Sequence, residues 1–249
     1  MWILLIISSV APPVAEPLPP GAIARLGSTR WLVGENARGL VASPDGRQVM
    51  IGRPVGLRIF DARSGEVAEH LTEPQAYHLT ALDWHADKAL VRSQTLTEKI
   101  WLFDVKRSVG LVGLEVPQAC LSNDGQLVHT IVDGAFYSYE IQTQRWSRIG
   151  SLGEQPSNRE QMLIANPKRR ELAVALLDHH IGVLDLRTGK FRWQVRAHSP
   201  RSHSFREAYA LLAYSPEGDW LASGGQDGNV RLWHAQTGKP GPVLGMGQA

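Results

Sequence analysis

A chain of 249 residues with 43% hydrophobic content has enough apolar material for one large β domain or two small ones. Its formal charge of +2 excludes the strong basic bias usual in nucleic-acid binders, and its single cysteine, Cys120, excludes an intramolecular disulfide. With 24 glycines and 15 prolines, it must turn often.

Residues 1–15 begin with an apolar run that gives way to small residues, the pattern of a secretory signal peptide. Ser9-Val-Ala11 offers a cleavage site, although no Lys or Arg precedes the run. The run is far shorter than the ~20 residues of a membrane span, so no span is expected. The expected location is the periplasm or outside the cell, and otherwise the cytoplasm if residues 1–15 are instead a buried strand. Residues 16–21, Glu16-Pro-Leu-Pro-Pro-Gly21, read as a stiff Pro-rich linker, and residues 22–31 as a strand.

A pattern then repeats. Four-residue turns start at Ser43, His85, Ser122, Asn166 and Ser215, spaced by 42, 37, 44 and 49 residues. Each is followed by an apolar-aromatic strand ending in a polar residue: Asp61, Asp104, Glu140, Asp185 and His234. From the third turn residue to that strand end the steps are 16, 17, 16, 17 and 17. A constant step with drifting outer loops holds the length of a β-hairpin fixed. The inner hairpins fall near 38–61, 79–104, 117–140, 161–185 and 209–234. Asp83 stands out in the apolar strand Leu79-Thr-Ala-Leu-Asp-Trp84, because a buried carboxylate needs partners. Cys120 reads as a small buried hydrophobe. Lys168-Arg-Arg170 reads as a polar turn.

The last copy is the clearest. Tyr209 to Tyr214 is an apolar strand, Ser215-Pro-Glu-Gly218 a tight turn, Trp220 to Ser223 a second strand, and Val230-Arg-Leu-Trp233 an alternating third. Residues 209–238 resemble a WD40 repeat, with Trp233-His234 where that family usually has Trp-Asp. The resemblance extends across residues 22–245. It implies an all-β protein, a WD40-type β-propeller of about five four-stranded antiparallel blades, as an open, truncated or closed ring. Closure is expected through residues 22–31 pairing with Asn229 to Trp233, because Pro240 and Pro242 make the C-terminal tail a poor strand donor. With its leader, the chain resembles the exported bacterial WD40 proteins abundant in planctomycetes.

The resemblance also implies a buried structural tetrad of His198, Ser223, Asp227 and Trp233, with His203 as a substitute for His198. In it the indole N–H gives to the Ser hydroxyl, Ser to His, and His to Asp. A second candidate surface gathers His179, His180, Arg201, His203 and Arg206, a cationic, His-rich concavity suited to an anion or acidic partner. No catalytic, cofactor or metal residues are expected, since no Gly-x-Ser-x-Gly, phosphate-binding glycine loop, Cys-x-x-Cys or His-Glu-x-x-His occurs. The implied function is a non-enzymatic scaffold for protein partners that the sequence does not identify, with no nucleic acid. Two alternatives stand beside it. One is an anion- or ligand-binding propeller, or a propeller enzyme, using the loops at 178–180 and 196–206. The other is a truncated remnant of a longer WD40 protein.

Overall fold

The computed structural model describes residues 38–53, 56–71, 79–93, 99–107, 109–152, 162–176, 179–199 and 211–245. The expected leader, linker and first strand at 1–15, 16–21 and 22–31 lie outside them.

Five four-stranded antiparallel sheets follow one another along the chain as the five blades of a propeller. Blade one holds β1 (Arg38–Ala42), β2 (Gln48–Gly52), β3 (Leu57–Asp61) and β4 (Val67–Leu71). Blade two holds β5 (Leu79–His85), β6 (Lys88–Ser93), β7 (Lys99–Asp104) and β8 (Val109–Leu114). Blade three holds β9 (Ala119–Leu121), β10 (Leu127–Val132), β11 (Ala135–Glu140) and β12 (Arg145–Ser151). Blade four holds β13 (Leu163–Ala165), β14 (Glu171–Ala175), β15 (His180–Asp185) and β16 (Lys190–Arg196). Blade five holds β17 (Leu211–Tyr214), β18 (Trp220–Gly224), β19 (Asn229–His234) and β20 (Pro240–Gly245). Every strand pairs with its neighbours in chain order. Among the described residues there is no helix, and hence none long and apolar enough to cross a membrane.

Blades meet through their first strands, β1 on β5, β5 on β9, β9 on β13 and β13 on β17. The core is therefore divided into seams rather than gathered at one centre. Met50 and Ile59 of blade one pack on Trp84 and Phe103 of blade two. Leu90 and Leu102 pack on Leu121 and Val128 across the next seam. Cys120 and Phe136 face Leu172 and Leu184, and Ala173 and Val183 face Leu221 and Trp233. Alternation along each strand sends successive residues to opposite seams, so the inner strands are apolar on both faces.

The recurring turn has a physical reason. Ser43 Oγ donates to Asp45 Oδ1 at 2.6 Å and accepts the Gln48 N–H at 2.9 Å. Ser122 makes the same bonds to Asp124 and Leu127, at 2.6 and 2.9 Å. The polar residue ending each third strand works the same way: Asp61 and Asp185 each accept two backbone N–H groups from the turn that follows. Those bonds hold both carboxyls below the usual carboxylate range, against the opposing pull of desolvation. In every blade the third and fourth strands are out of step by a bulge, which twists the outer strand relative to the inner three.

The outer strand of blade five corrects an expectation. β20 pairs with β19, with Asn229 opposite Gly245, Arg231 opposite Val243 and Trp233 opposite Pro240. The place reserved for residues 22–31 is thus filled from the C-terminal side. The prolines are tolerated because β20 is an edge strand and the register shift falls between Arg231 and Trp233, where Pro242 has no ladder partner.

Candidate functional site

The seam between blades four and five is tied by several polar bonds. Asn166, which opens the turn before β14, accepts the N–H groups of Lys168 and Arg169 on its Oδ1. Its Nδ2 donates to the Gly218 carbonyl at 2.9 Å. The Arg169 guanidinium reaches the same carbonyl and the Asp219 carboxylate. A Cβ on Gly218, at φ +70°, would lie 2.3 Å from Asn166 Oδ1, so only glycine fits this crossing. Further out, Trp193 Nε1 donates to the Ala235 carbonyl at 2.7 Å.

Within blade five, His198, Ser223, Asp227 and Trp233 are brought within hydrogen-bond distance of one another. Trp233 Nε1 donates to Ser223 Oγ at 2.9 Å, and Ser223 Oγ lies 2.8 Å from His198 Nε2. His198 Nδ1 lies 3.0 Å from Asp227 Oδ1. The Arg231 guanidinium donates to Asp227 Oδ2 at 2.6 Å, and the Asn229 N–H to Oδ1. An indole can only donate and a carboxylate only accept; with the proton on His198 Nδ1, donation runs from Trp233 through Ser223 and His198 to Asp227, and Arg231 Nη1 lies 2.8 Å from the same Nδ1. Burial alone would raise the Asp227 carboxyl; its bonds from His198, Arg231 and Asn229 outweigh that and hold it well below the usual range. His198 is 3% exposed and Ser223 0%, so the hydroxyl is closed to a substrate.

His198, rather than the alternative His203, occupies the histidine position of this network. His203, Arg201 and Arg206 lie outside the described residues. His179 sits in the turn before β15 at φ +63°, and its carbonyl accepts the N–H groups of Ala197 and His198 at 2.8 and 3.3 Å. His180 begins β15, opposite Arg196. The His179 backbone thus anchors the segment that delivers His198. Among the described residues, no group of three or more His, Cys, Asp and Glu is placed to hold a metal ion.

A second buried histidine was not singled out from sequence. His129 of β10 faces Ser138 of β11, with Nδ1 2.7 Å from the hydroxyl. Burial lowers its imidazole from 6.5 to about 4, while Asp124 pulls weakly the other way. The signal was available: Asp133-Gly134, both at positive φ, make a two-residue hairpin turn that places 129 opposite 138.

Residues 197–234 match the family described as WD domain, G-beta repeat. Blade five carries a WD40 repeat. Its matched stretch starts just before His198 and ends just after Trp233, so it spans the whole hydrogen-bonded network. The chain is also 38% identical over 80 residues to the THO complex subunit 6 homolog of Danio rerio and 39% identical over 77 residues to THO complex subunit 6 of Homo sapiens. A homolog in Rattus norvegicus is 38% identical over 77 residues. Each alignment takes in 31% of this chain, and the chain spans only 20–22% of the length of these curated relatives. They overturn the expectation of a periplasmic or secreted protein of bacterial type: they are subunits of a complex in vertebrates, whose cells have no periplasm.

Proposed function

We propose that this protein is a non-enzymatic interaction scaffold, a WD40-type propeller that works as a subunit of a larger assembly. The observation that carries the reading is the similarity, at 38–39% identity, to proteins named as subunits of the THO complex. The buried network of blade five supports it. A Ser-His-Asp set could be taken for a hydrolase triad, but a nucleophilic hydroxyl needs a substrate carbonyl within reach. Here the Ser223 oxygen is occupied by Trp233 Nε1 on one side and His198 Nε2 on the other. The four residues act as a clasp: they tie the segment before β17 to β18 and β19 and stiffen the blade.

Affinity capture of the tagged full-length chain from its native cells, followed by size exclusion and mass spectrometry, tests the reading. A defined set of proteins should co-elute with the chain above its own mass of 27.4 kDa. A chain that elutes alone in every native extract would overturn the assignment.

A further inference from the structure

Between blades three and four the turns open onto a cleft of about 720 Å³, within the ~300–1,000 Å³ common for ligand sites. One wall is β12, through Ser147, Arg148 and Ile149. The other is the turn from Asn166 to Arg170 with Leu186 and Arg187, and the buried His129–Ser138 pair belongs to its lining. Backbone contact closes the seam beside it. A Cβ on Gly150 would lie 2.2 Å from the Gly189 carbonyl oxygen, and one on Gly189 2.0 Å from that of Ile149. The walls are thus fixed by main chain rather than by movable side chains.

The charges around this cleft are uneven in their commitments. Of the three lining carboxylates, Glu171 is paired with Arg192 at 3.0 Å, Asp124 accepts from the Ser122 hydroxyl and the Gln126 N–H, and Glu140 accepts from the Thr143 hydroxyl. Among the cations, Arg169 is held by Gly218 and Asp219. Arg148, Lys168, Arg170 and Arg187 are exposed and have no ion pair among the described residues. The Lys168-Arg-Arg170 run is therefore half committed, with its central arginine bracing the blade four–five seam and its outer two left at the rim of the cleft. Between these charges lie aliphatic surfaces of Leu127, Ile149, Ala165, Pro167 and Leu186.

We propose that this cleft is a docking site for an extended acidic peptide segment of a partner protein, one that interleaves carboxylate with aliphatic side chains. The proposal rests on the scaffold reading and names the surface that reading requires. The lining carries five cations against three carboxylates, four of the cations are without an ion pair among the described residues, and this surplus attracts and orients a polyanion. The aliphatic patches between them give the peptide's apolar side chains a place to be buried. Single-stranded nucleic acid would meet the same charge, but it depends on aromatic faces for base stacking; among the described residues no Phe, Tyr or Trp lines the cleft, and the His129 ring is buried.

The test is fluorescence anisotropy on the full chain with a labelled octapeptide of alternating glutamate and leucine. A lysine–leucine octapeptide and a short oligouridylate serve as comparators. The glutamate–leucine peptide should bind saturably and weaken steeply with salt. An R148E/R187E variant should lose about tenfold or more in affinity. R47E, which alters an exposed cation of blade one, should leave binding unchanged. Arg148 and Arg187 make no side-chain bond among the described residues, so the variant should keep the thermal midpoint of the parent. R170E provides a second test should the double variant fail to fold. Equal binding by the variant, equal loss in R47E, or no binding of the acidic peptide would each overturn the proposal. Tighter binding of the oligouridylate, lost in R148E/R187E, would reassign the cleft to nucleic acid. Running the affinity capture on R148E/R187E separates the two levels. Partners retained by the variant leave the scaffold reading standing without the cleft; partners lost from parent and variant alike defeat the scaffold itself.

Discussion

The Asp83 carboxylate accepts a hydrogen bond from the backbone N–H of Leu121 at 2.8 Å, across 38 residues of chain. Its other oxygen accepts the Trp84 N–H at 2.9 Å and lies 3.2 Å from His85 Nε2. The register of β5 and β6 shifts between Ala81 and Asp83, and this irregularity lets a carboxylate in an apolar strand reach blade three. Leu121 is fully buried, so its N–H has no water to turn to. Asp83→Leu should therefore cost about 1–3 kcal/mol, the penalty of an unsatisfied buried donor, and Asp83→Asn should recover part of it. Urea denaturation decides the matter. An Asp83→Leu midpoint equal to that of the parent would mean that the pin contributes nothing.

Ser223→Ala removes the atom shared by Trp233 Nε1 and His198 Nε2. Both partners stay buried without it, so a loss of about 1–3 kcal/mol is expected. Differential scanning calorimetry should record a lower midpoint than in the parent. Equal melting would remove the network from the stability of blade five.

His129 makes the fold sensitive to mild acid. Its folded-state value is about 4, against 6.5 ordinarily. As pH falls through 6.5 the unfolded chain takes up a proton that the folded chain refuses until about pH 4. Stability is then full above 6.5 and declines through that window, by roughly 3 kcal/mol in total for a shift of this size. His129→Gln should flatten that part of the profile, whatever it does to absolute stability. Denaturation midpoints measured from pH 7.5 to 4 provide the comparison, and parallel profiles would show that His129 is not the source.

Deleting residues 239–249 removes β20 and leaves the β19 edge bare next to an otherwise intact sheet. Unpaired edges recruit other chains. The shortened protein should elute as soluble aggregate on size exclusion at concentrations where the parent runs as a single species. A monomeric, normally melting product would show that β20 is dispensable.

The blade repeat was legible because its turns are chemically costly to vary. Ser43, Ser122 and Ser215 each take a backbone N–H on the hydroxyl, and Asp61 and Asp185 cap the following turn. Such side-chain-to-backbone bonds restrict residue types at fixed offsets, which is what a spacing argument detects. The outer strand of blade five was misjudged, because a bulge that excuses Pro242 leaves no mark on composition. Asp83 could be marked as anomalous but not explained, since its partner is a main-chain N–H on another blade, invisible to any side-chain pattern. The cleft cations had the same difficulty. Lys168-Arg-Arg170 is a polar turn in the sequence, and only its position opposite Arg148 and beside Arg187 distinguishes it from any other.

The division of the core into seams bears on how the chain reaches its structure. The pins join blades that are adjacent in sequence: Asp83 to Leu121 spans 38 residues, and Asn166 to Gly218 spans 52. Pins between sequence-adjacent blades keep each loop to be closed well short of the whole chain, which limits the entropy of closure. At roughly 5–20 residues per second of synthesis, each blade emerges within about ten seconds of its predecessor and finds that predecessor's apolar face waiting for it. The order of assembly then follows the order of translation. Ribosome-stalled chains ending after successive blades should gain protease resistance stepwise rather than all at once.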